Sequence, residues 1–414
     1  MTHKVVTFLV VILLASTASA TTEMGLWNFD TTNGGAGNPF ANNLISDGVN
    51  FYGVTWEGGN TAGCFNGCGT VFELSPNSNG GWNEIGLYSF DPANGTDGSN
   101  PLGGLVRDQQ GNLYGTTYYG GGSTNCNNGC GTVFKLTHGS SGWTETVLYT
   151  FTGSTDGNYP YSTLTIGKNG SLYGTTYGDG GTGTLGTVYQ LSPTAGGWKK
   201  NTLHTFKGKP DGSYPTGAVV FDKMGRLYGT ASTGGTYGYG CVYRLERHST
   251  RWTLSVLHSF NSSDGAFPSW VSLTIDQAQN LYGTTENGGA NDTGTVWELA
   301  YSATLNKYSE KVLHSFGPKG GTDGGYPWAG VTMHREGTLY GTTSEGGTSN
   351  WGTIFVVTEA KNKKWKERVL YSFTGAQDGG QPGGDLLNGA NGALYGIADG
   401  GGAYVNGVVF EIAP

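Results

Sequence analysis

The chain has 414 residues, of which 76 are glycine and only 13% are charged, and its formal net charge is −8. A net negative charge disfavours nucleic acid and anionic membrane surfaces as partners, because both repel acidic proteins. Glycine this frequent is typical either of disordered chains or of folds with many tight turns, and the 13% of aromatic residues favours the second.

The first twenty residues predict a secretory signal peptide. Lys4 supplies a positive charge, residues 5–15 form an apolar stretch too short for a confident membrane span, and Ala18-Ser19-Ala20 resembles a cleavage site. We therefore expect residues 1–20 to be removed and residues 21–414 to form the mature domain. No later segment has the apolar length of a membrane span, so we expect a secreted monomer, extracellular or periplasmic.

One short phrase with a central tyrosine recurs seven times along the mature chain. Its tyrosines are separated by 54 to 62 residues and are Tyr52, Tyr114, Tyr173, Tyr228, Tyr282, Tyr340 and Tyr395. A recurrence in this range indicates a repeat architecture.

Two loops in the first two repeats each contain a pair of cysteines. They are Cys64 and Cys68 in the first loop and Cys126 and Cys130 in the second. For an exported protein we expect one local disulfide in each loop, with cross-pairing between the loops and a four-cysteine zinc site as alternatives. The fifth cysteine, Cys241, falls in a predicted strand and is expected to be a buried thiol.

The short segments of β-branched and aromatic residues in each repeat predict four β-strands. In the second repeat these cover residues 102–107, 113–117, 131–136 and 144–151. Four-stranded sheets repeated around an axis form a β-propeller. The fold class is therefore all-β, a single seven-bladed β-propeller with four antiparallel strands per blade. Residues 25–29 match the fourth-strand phrase and residues 407–412 match the third-strand phrase. The N-terminal strand is thus predicted to complete the last blade and close the ring.

The recurring phrases Leu-Tyr-Gly-Thr-Thr, Gly-Gly-x-x-x-x-Gly-Thr-Val-Phe and Val-Leu-Tyr-Ser-Phe resemble those of the GloVer tandem-repeat proteins of bacteria. The resemblance covers residues 25–414. It implies an exported protein, and it supplies no established catalytic residues. Family members often carry a cell-surface anchor, and this sequence shows no segment that matches one.

Aromatic residues recur in two sets of loops that the strand order places on one face. One set stands four residues after the repeat tyrosine, and the other, which also includes Phe40, follows a proline that leads into each blade. Exposed aromatic rings at a propeller mouth suit stacking on sugar rings, whereas packing between blades is the alternative interpretation. The predicted ligand-binding residues are Trp56, Tyr118, Tyr177, Tyr161, Trp270 and Trp328.

Acidic residues on the same loops give a second interpretation, a glycan-active hydrolase. Glu286, Glu345 and Asp399 are the candidates for the pair of carboxylates that a glycosidase requires. A repeated Asp-Gly-x-x-Pro phrase in the other loop set is interpreted as turn chemistry, with calcium binding as the alternative.

Three histidines replace the tyrosine of the fourth-strand phrase, namely His204, His258 and His314. Because the fourth strand is the outermost of a blade, we expect these side chains to point away from one another, and no metal site or other cofactor is predicted. The sequence favours a binding module for a polysaccharide or surface glycan. A hydrolase and a scaffold for another exported protein are the alternatives, and the sequence does not decide whether the protein is an enzyme.

Overall fold

The computed structural model describes residues 23–413 except 32–34, 41–42, 60–62, 179–182, 184 and 250. The predicted signal peptide lies outside the described residues. The described chain forms seven antiparallel blade sheets, each with the strand order first, second, third and fourth from the centre outward, and two further two-stranded sheets. The prediction of a seven-bladed β-propeller is confirmed, and we number the blades 1 to 7 in chain order.

The four strands of each blade differ in length by their position in the sheet. The first strands are Ile45–Ser46, Val106–Arg107, Thr165–Ile166, Val220–Phe221, Thr274–Ile275, Thr332–Arg335 and Leu387–Asn388. The second strands are Phe51–Thr55, Leu113–Thr117, Leu172–Thr176, Leu227–Ala231, Leu281–Thr285, Thr338–Thr343 and Leu394–Gly400. The third strands are Thr70–Pro76, Thr132–Gly139, Thr187–Thr194, Cys241–His248, Thr295–Ser302, Thr353–Glu359 and Val408–Ile412. The fourth strands are Trp82–Ser89, Gly142–Thr150, Gly197–Thr205, Arg251–Ser259, Lys307–Ser315, Trp365–Ser372 and, for blade 7, Glu23–Asn28.

Short accessory elements lie in the loops between these strands. Ala36–Gly37 pairs with Glu57–Gly58, Gly98–Ser99 pairs with Tyr119–Gly120, and Gly380–Pro382 pairs with the second strand of blade 7. A single turn of 3₁₀ helix covers Pro92–Asn94. In the part of the chain that the structure describes, no helix has the length and apolar character of a membrane span.

The N-terminal strand closes the ring as predicted. Glu23–Asn28 pairs antiparallel with the third strand of blade 7, with Glu23 opposite Ile412 and Asn28 opposite Val408. Trp27 of this strand also donates a hydrogen bond from Nε1 to Glu84 Oε2 of blade 1, at 2.8 Å. The first and last segments of the described chain are thus joined in one sheet, and the third strand of blade 7 is paired on both sides.

The glycine of the repeated Leu-Tyr-Gly phrase is required by an aromatic ring on the adjacent third strand. Gly115 pairs with Phe134 across blade 2, and a Cβ on Gly115 would lie 2.5 Å from Phe134 Cζ. The equivalent glycine of every other blade likewise faces a Phe, Tyr or Trp ring at 2.5 to 2.6 Å. The large ring fills the space beside the glycine, so the two residue types occur together.

The threonines of the repeated phrases form buried pairs between the second and third strands. Thr117 and Thr132 share a hydrogen bond between hydroxyl oxygens 2.8 Å apart, and four other blades have an equivalent pair. In blade 4 both threonines are replaced together, by Ala231 and Cys241, which pair in the same register. Cys241 is a free, fully buried thiol, as predicted. Replacing both members avoids leaving one buried hydroxyl without a partner.

The hydrophobic core is divided among the seven blade interfaces. Each of the seven clusters of buried side chains combines residues of two neighbouring blades; the cluster between blades 1 and 2, for example, contains Tyr52, Val71, Leu113 and Phe134. Because every sheet is covered by a neighbour on each side, a blade cannot bury its apolar faces alone. The ring therefore holds the loops of one face in fixed relative positions.

Candidate ligand-binding face

A residue in the left-handed backbone region precedes a proline in each loop that enters a blade. Its φ lies between 50° and 55° at Asn38, Asn100, Tyr159, Tyr214, Phe267, Tyr326 and Gln381. This conformation is unfavourable for bulky residues and persists only where the surroundings fix it. Here the carbonyl of Asn38 accepts a hydrogen bond from Trp56 N at 2.9 Å, and that of Asn100 accepts one from Tyr118 N at 3.1 Å. These bonds join the two loop sets into one surface, which we call the loop face.

All six aromatic residues that the sequence analysis selected belong to one connected series of rings on the loop face. Tyr161 lies at its centre, with ring centroids 6.2 Å from Trp270, 5.6 Å from Tyr118 and 6.1 Å from Tyr177. The series continues from Trp270 to Trp328 at 5.9 Å and from Tyr118 to Trp56 at 6.0 Å. Phe40 lies 6.2 Å from Trp328. The six predicted residues thus form one connected series, and all six are half-buried, as is Phe40.

Two further tyrosines that the sequence reasoning missed are stacked on this series. Tyr159 stacks on Tyr118 at 4.7 Å and 15°, and Tyr214 stacks on Tyr177 at 4.9 Å and 26°. Both are the left-handed residues that precede a proline. The position before each proline was the available signal, since it is aromatic in four of the seven repeats.

Trp270 reaches the series through one extra residue in the loop that enters blade 5. Its φ is 55°, and its backbone N donates to Thr216 Oγ1 at 2.9 Å. This bond to the preceding blade fixes a conformation that a tryptophan rarely adopts.

Two of the three candidate carboxylates lie beside the aromatic series. Burial raises the pKa of Glu286, although Ser269 and Trp328 lower it by hydrogen bonding to the carboxylate. Asp399 is 9% exposed. Burial raises the pKa of the Tyr161 hydroxyl, and the negative charges of Tyr177, Asp399 and Glu286 add to the increase, so both carboxylates lie near the central ring.

The third candidate, Glu345, has a different environment. Its Oε2 lies 3.4 Å from Lys319 Nζ, and its backbone N donates to Gly325 O at 3.2 Å. Glu345 thus lies in the loop between the second and third strands of blade 6, where it is paired with Lys319.

A groove of about 550 Å³ adjoins the aromatic series between the loops of blades 1 and 2. Its lining combines the rings of Trp56, Phe65 and Tyr119 with the polar side chains of Glu57 and Asn128. Phe65 is 91% exposed. Both flanking loops carry the predicted local disulfides, Cys64–Cys68 and Cys126–Cys130. The disulfides limit the conformations of the groove walls, and they are compatible with an exported protein.

The aspartates of the Asp-Gly-x-x-Pro phrases serve as hydrogen-bond acceptors within their own loops. Asp156 accepts from Tyr149 OH at 2.9 Å and from Thr152 N at 3.0 Å. The three fourth-strand histidines contact the same aspartates, with His204 Nε2 2.9 Å from Asp211 and His258 Nε2 3.1 Å from Asp264. These contacts support the turn interpretation of the phrase.

Comparison with known proteins gives a family and a fold. The sequence profile described as the Gloeobacter/Verrucomicrobia repeat matches residues 11–185 and 299–414, more than half of the chain. None of the curated proteins matches the chain.

Several solved structures resemble the propeller at low sequence identity. A hypothetical selenium-binding protein from Sulfolobus tokodaii is 9% identical with a TM-score of 0.52, over 85% of this chain and 82% of that one. PorZ, a bacterial surface component of the type-IX secretion system of Porphyromonas gingivalis, is 13% identical with a TM-score of 0.51, over 93% of this chain and 48% of that one. A luciferin-regenerating enzyme is 13% identical with a TM-score of 0.44, over 76% of this chain and 91% of that one. At these identities the likeness concerns the fold alone.

Proposed function

The chain belongs to the Gloeobacter/Verrucomicrobia repeat family, and from its loop face we propose that it is an exported binding protein for a polysaccharide or surface glycan. The observation that carries the proposal is the connected series of rings from Trp328 through Tyr161 to Trp56. Aromatic faces held rigidly beside one another suit stacking on the apolar faces of successive sugar units. The ring of blades holds them without a further cost in loop ordering.

The groove beside Trp56 supports the same proposal. A sugar site needs apolar faces together with a few polar groups that bind hydroxyls. The groove offers the rings of Phe65 and Tyr119 beside the side chains of Glu57 and Asn128. A chain bound along the series would extend from the centre of the face into this groove.

The charge of the loop face favours a neutral or amino-bearing glycan over an acidic one. Glu286 and Asp399 lie near the central Tyr161, whose hydroxyl pKa is raised by burial and by these carboxylates, and Glu57 lines the groove. Lys319 of the same face is paired with Glu345. A polymer of uronic acids requires Arg or Lys partners for its carboxylates and would be repelled by these acidic groups.

The test is retention of the mature protein on a panel of insoluble neutral, amino-bearing and acidic polysaccharides. We expect binding to a neutral or amino-bearing polymer, and at least a tenfold loss of affinity for Trp270→Ala and Trp328→Ala, since about 1.4 kcal/mol corresponds to a factor of ten. Tyr404→Ala is the matched control, because Tyr404 lies in the loop between the second and third strands of blade 7, is 54% exposed and, among the described residues, makes no ring contact with the series. Equal retention of all three variants, or no retention of the wild type, contradicts the proposal.

A glycan-active hydrolase is the second candidate, and the position of Glu286 and Asp399 near the central Tyr161 favours it. A carboxyl group whose pKa is raised by burial, as at Glu286, suits the general acid that a glycosidase requires, and Asp399 would supply the second carboxylate. Mass spectrometry of the soluble fraction distinguishes the two functions. New oligosaccharides that disappear in Glu286→Gln, with the fold intact, would replace the binding proposal by the hydrolase; a complex with another exported protein, insensitive to sugars, would replace both by the scaffold.

A further inference from the structure

The outer rim of the ring carries one repeated polar contact at the seams between blades. The aspartate of the Asp-Gly phrase accepts a hydrogen bond from the fourth-strand tyrosine, or contacts the histidine in its place, as in Tyr88–Asp97 at 2.7 Å and His258–Asp264 at 3.1 Å. The fourth strand of the next blade presents a residue toward this pair. At the six seams from blade 1 onward that residue is Glu145, Lys200, Leu254, Glu310, Glu367 and Glu23.

The seam between blades 4 and 5 brings three different ligand types together. His258 Nε2, an Asp264 carboxylate oxygen and a Glu310 carboxylate oxygen all lie within 4.8 Å of one another. Glu310 Oε1 is buried and has no hydrogen-bond donor among the described residues. The other acidic member is already oriented, because Asn261 donates to Asp264 from its backbone N at 2.9 Å and from its side-chain amide at 3.0 Å.

We propose that His258, Asp264 and Glu310 bind a zinc ion that links blades 4 and 5. One imidazole nitrogen and two carboxylate oxygens, with water completing the tetrahedron, form a donor set that zinc accepts. Calcium and magnesium prefer sites made of oxygen alone, so the histidine disfavours them here. The ion would supply the partner that Glu310 Oε1 lacks, while the Asn261 bonds orient Asp264 from outside the ligand shell.

In the described part of the chain, the interfaces between other neighbouring blades lack the complete set of three closely spaced ligands. At the seam between blades 3 and 4 the histidine and aspartate are present, but Leu254 stands at the register position of Glu310. At the seam between blades 1 and 2 Glu145 is present, but Tyr88 replaces the histidine. His314, Asp323 and Glu367 repeat the three residue types, yet among the described residues only the set around His258 has all its ligand atoms within 4.8 Å.

The experiment measures zinc binding to untagged, chelator-treated mature protein by competition with a chromophoric chelator. We expect one zinc ion per chain and a higher melting temperature in the presence of zinc. His258→Gln and Glu310→Gln should each weaken binding at least about tenfold, since they remove a ligand of a three-residue site. His204→Gln is the matched control at the seam that has leucine, and it should leave zinc affinity unchanged.

Three results would overturn the proposal. One is the absence of zinc binding by the wild-type chain, and another is unchanged affinity in both His258→Gln and Glu310→Gln. The third is a loss caused by Glu367→Gln instead, which would place the ion at the neighbouring seam. Melting temperatures measured with excess chelator separate a folding defect from a binding defect, because a variant that only loses its ligand remains folded without zinc. Retention on polysaccharides is measured independently, so the outcome does not depend on the proposed glycan site.

Discussion

Glu145 is a carboxyl group whose stability contribution depends on pH. It lies at the seam between blades 1 and 2, and burial, together with the nearby Asp97, raises its pKa from 4.5 to about 7. Its Oε1 is buried without a hydrogen-bond donor among the residues described. The native state therefore favours the protonated form, and folding takes up a proton between these two pKa values. The contribution of Glu145 to the free energy of unfolding is therefore fully present below about pH 4.5 and is lost as the pH rises towards 7.

Glu145→Gln should remove this dependence, because glutamine has the same shape and does not ionise. We expect the free energy of unfolding to rise by roughly 1 kcal/mol at pH 8, well below the full linkage value since the side chain is partly solvated, and to change little at pH 4. Urea unfolding at both pH values measures the difference. Glu336→Gln, at an exposed position, is the control and should leave the free energy of unfolding unchanged. A loss of stability at pH 8 would mean that the charged carboxylate is favoured at the seam.

Single residues also show where sequence reasoning reaches its limit. The selection of Trp56, Tyr118, Tyr177, Tyr161, Trp270 and Trp328 followed from their loop positions, and the structure brings all six rings together. The pairing of His258 and Asp264 with Glu310 was missed, because it joins two blades through side chains 52 and 46 residues apart in the chain. The period of the repeat gives the blade on which a residue lies, but not the side-chain distances across a seam.

At the scale of the strand, the glycine that faces an aromatic ring leaves no space for a larger side chain. A Cβ at residue 115 would lie 2.5 Å from Phe134 Cζ and 3.1 Å from Leu105 Cδ2. Gly115→Ala should therefore lower the free energy of unfolding by about 2 kcal/mol, as overpacking of a core does. Gly86 of the fourth strand is the matched control, since a Cβ there meets nothing within 4 Å and the residue is exposed.

Gly86→Ala should be neutral or slightly stabilising, because alanine restricts the unfolded chain. Chemical unfolding of both variants gives the comparison. If the ring causes the strain, Gly115→Ala combined with Phe134→Leu should recover part of the lost stability. Equal effects of the two alanine substitutions would mean that the ring of Phe134 is not what requires glycine at position 115.

The innermost strands are shorter than the sequence predicts. Residues 102–107 of blade 2 were expected to be strand, whereas only Val106–Arg107 pairs with the second strand. The preceding residues approach the neighbouring blades instead of continuing the ladder. Gly104 N donates to Thr163 Oγ1 of blade 3 at 2.9 Å, and Thr116 Oγ1 of the second strand also donates to blade 3, at Ser162 O and 3.4 Å. Near the axis the blades are close enough for these bonds, a feature that the pattern of one repeat does not contain.

At the scale of the whole molecule, the sequence is sufficient to predict the ring. The seven tyrosines give the number of blades, and the displaced fourth strand at residues 25–29 gives the closure, because both depend only on repetition. The six aromatic residues selected from the sequence lie on the loop face, whereas Tyr159 and Tyr214 were missed. The geometry of the loop face was not predicted. It depends on residues with a left-handed backbone conformation, such as Tyr159 and Trp270, and hydrogen bonds with neighbouring loops fix these conformations.

Ring closure predicts that the N-terminal strand is essential to the whole propeller. Removing residues up to 29 deletes Trp27, with its hydrogen bond to Glu84, and Phe29, a fully buried ring 5.1 Å from Phe72. It also exposes the edge of Val408–Ile412, which is then available to pair with another chain. A chain that begins at residue 30 should therefore aggregate or lose cooperative unfolding, whereas one that begins at residue 21 should not.

A synthetic peptide of residues 21–31 added in trans should restore a single species in size-exclusion chromatography and a cooperative melting transition. If the shortened chain instead elutes and melts like the longer one, the closing strand contributes nothing to the stability of the ring.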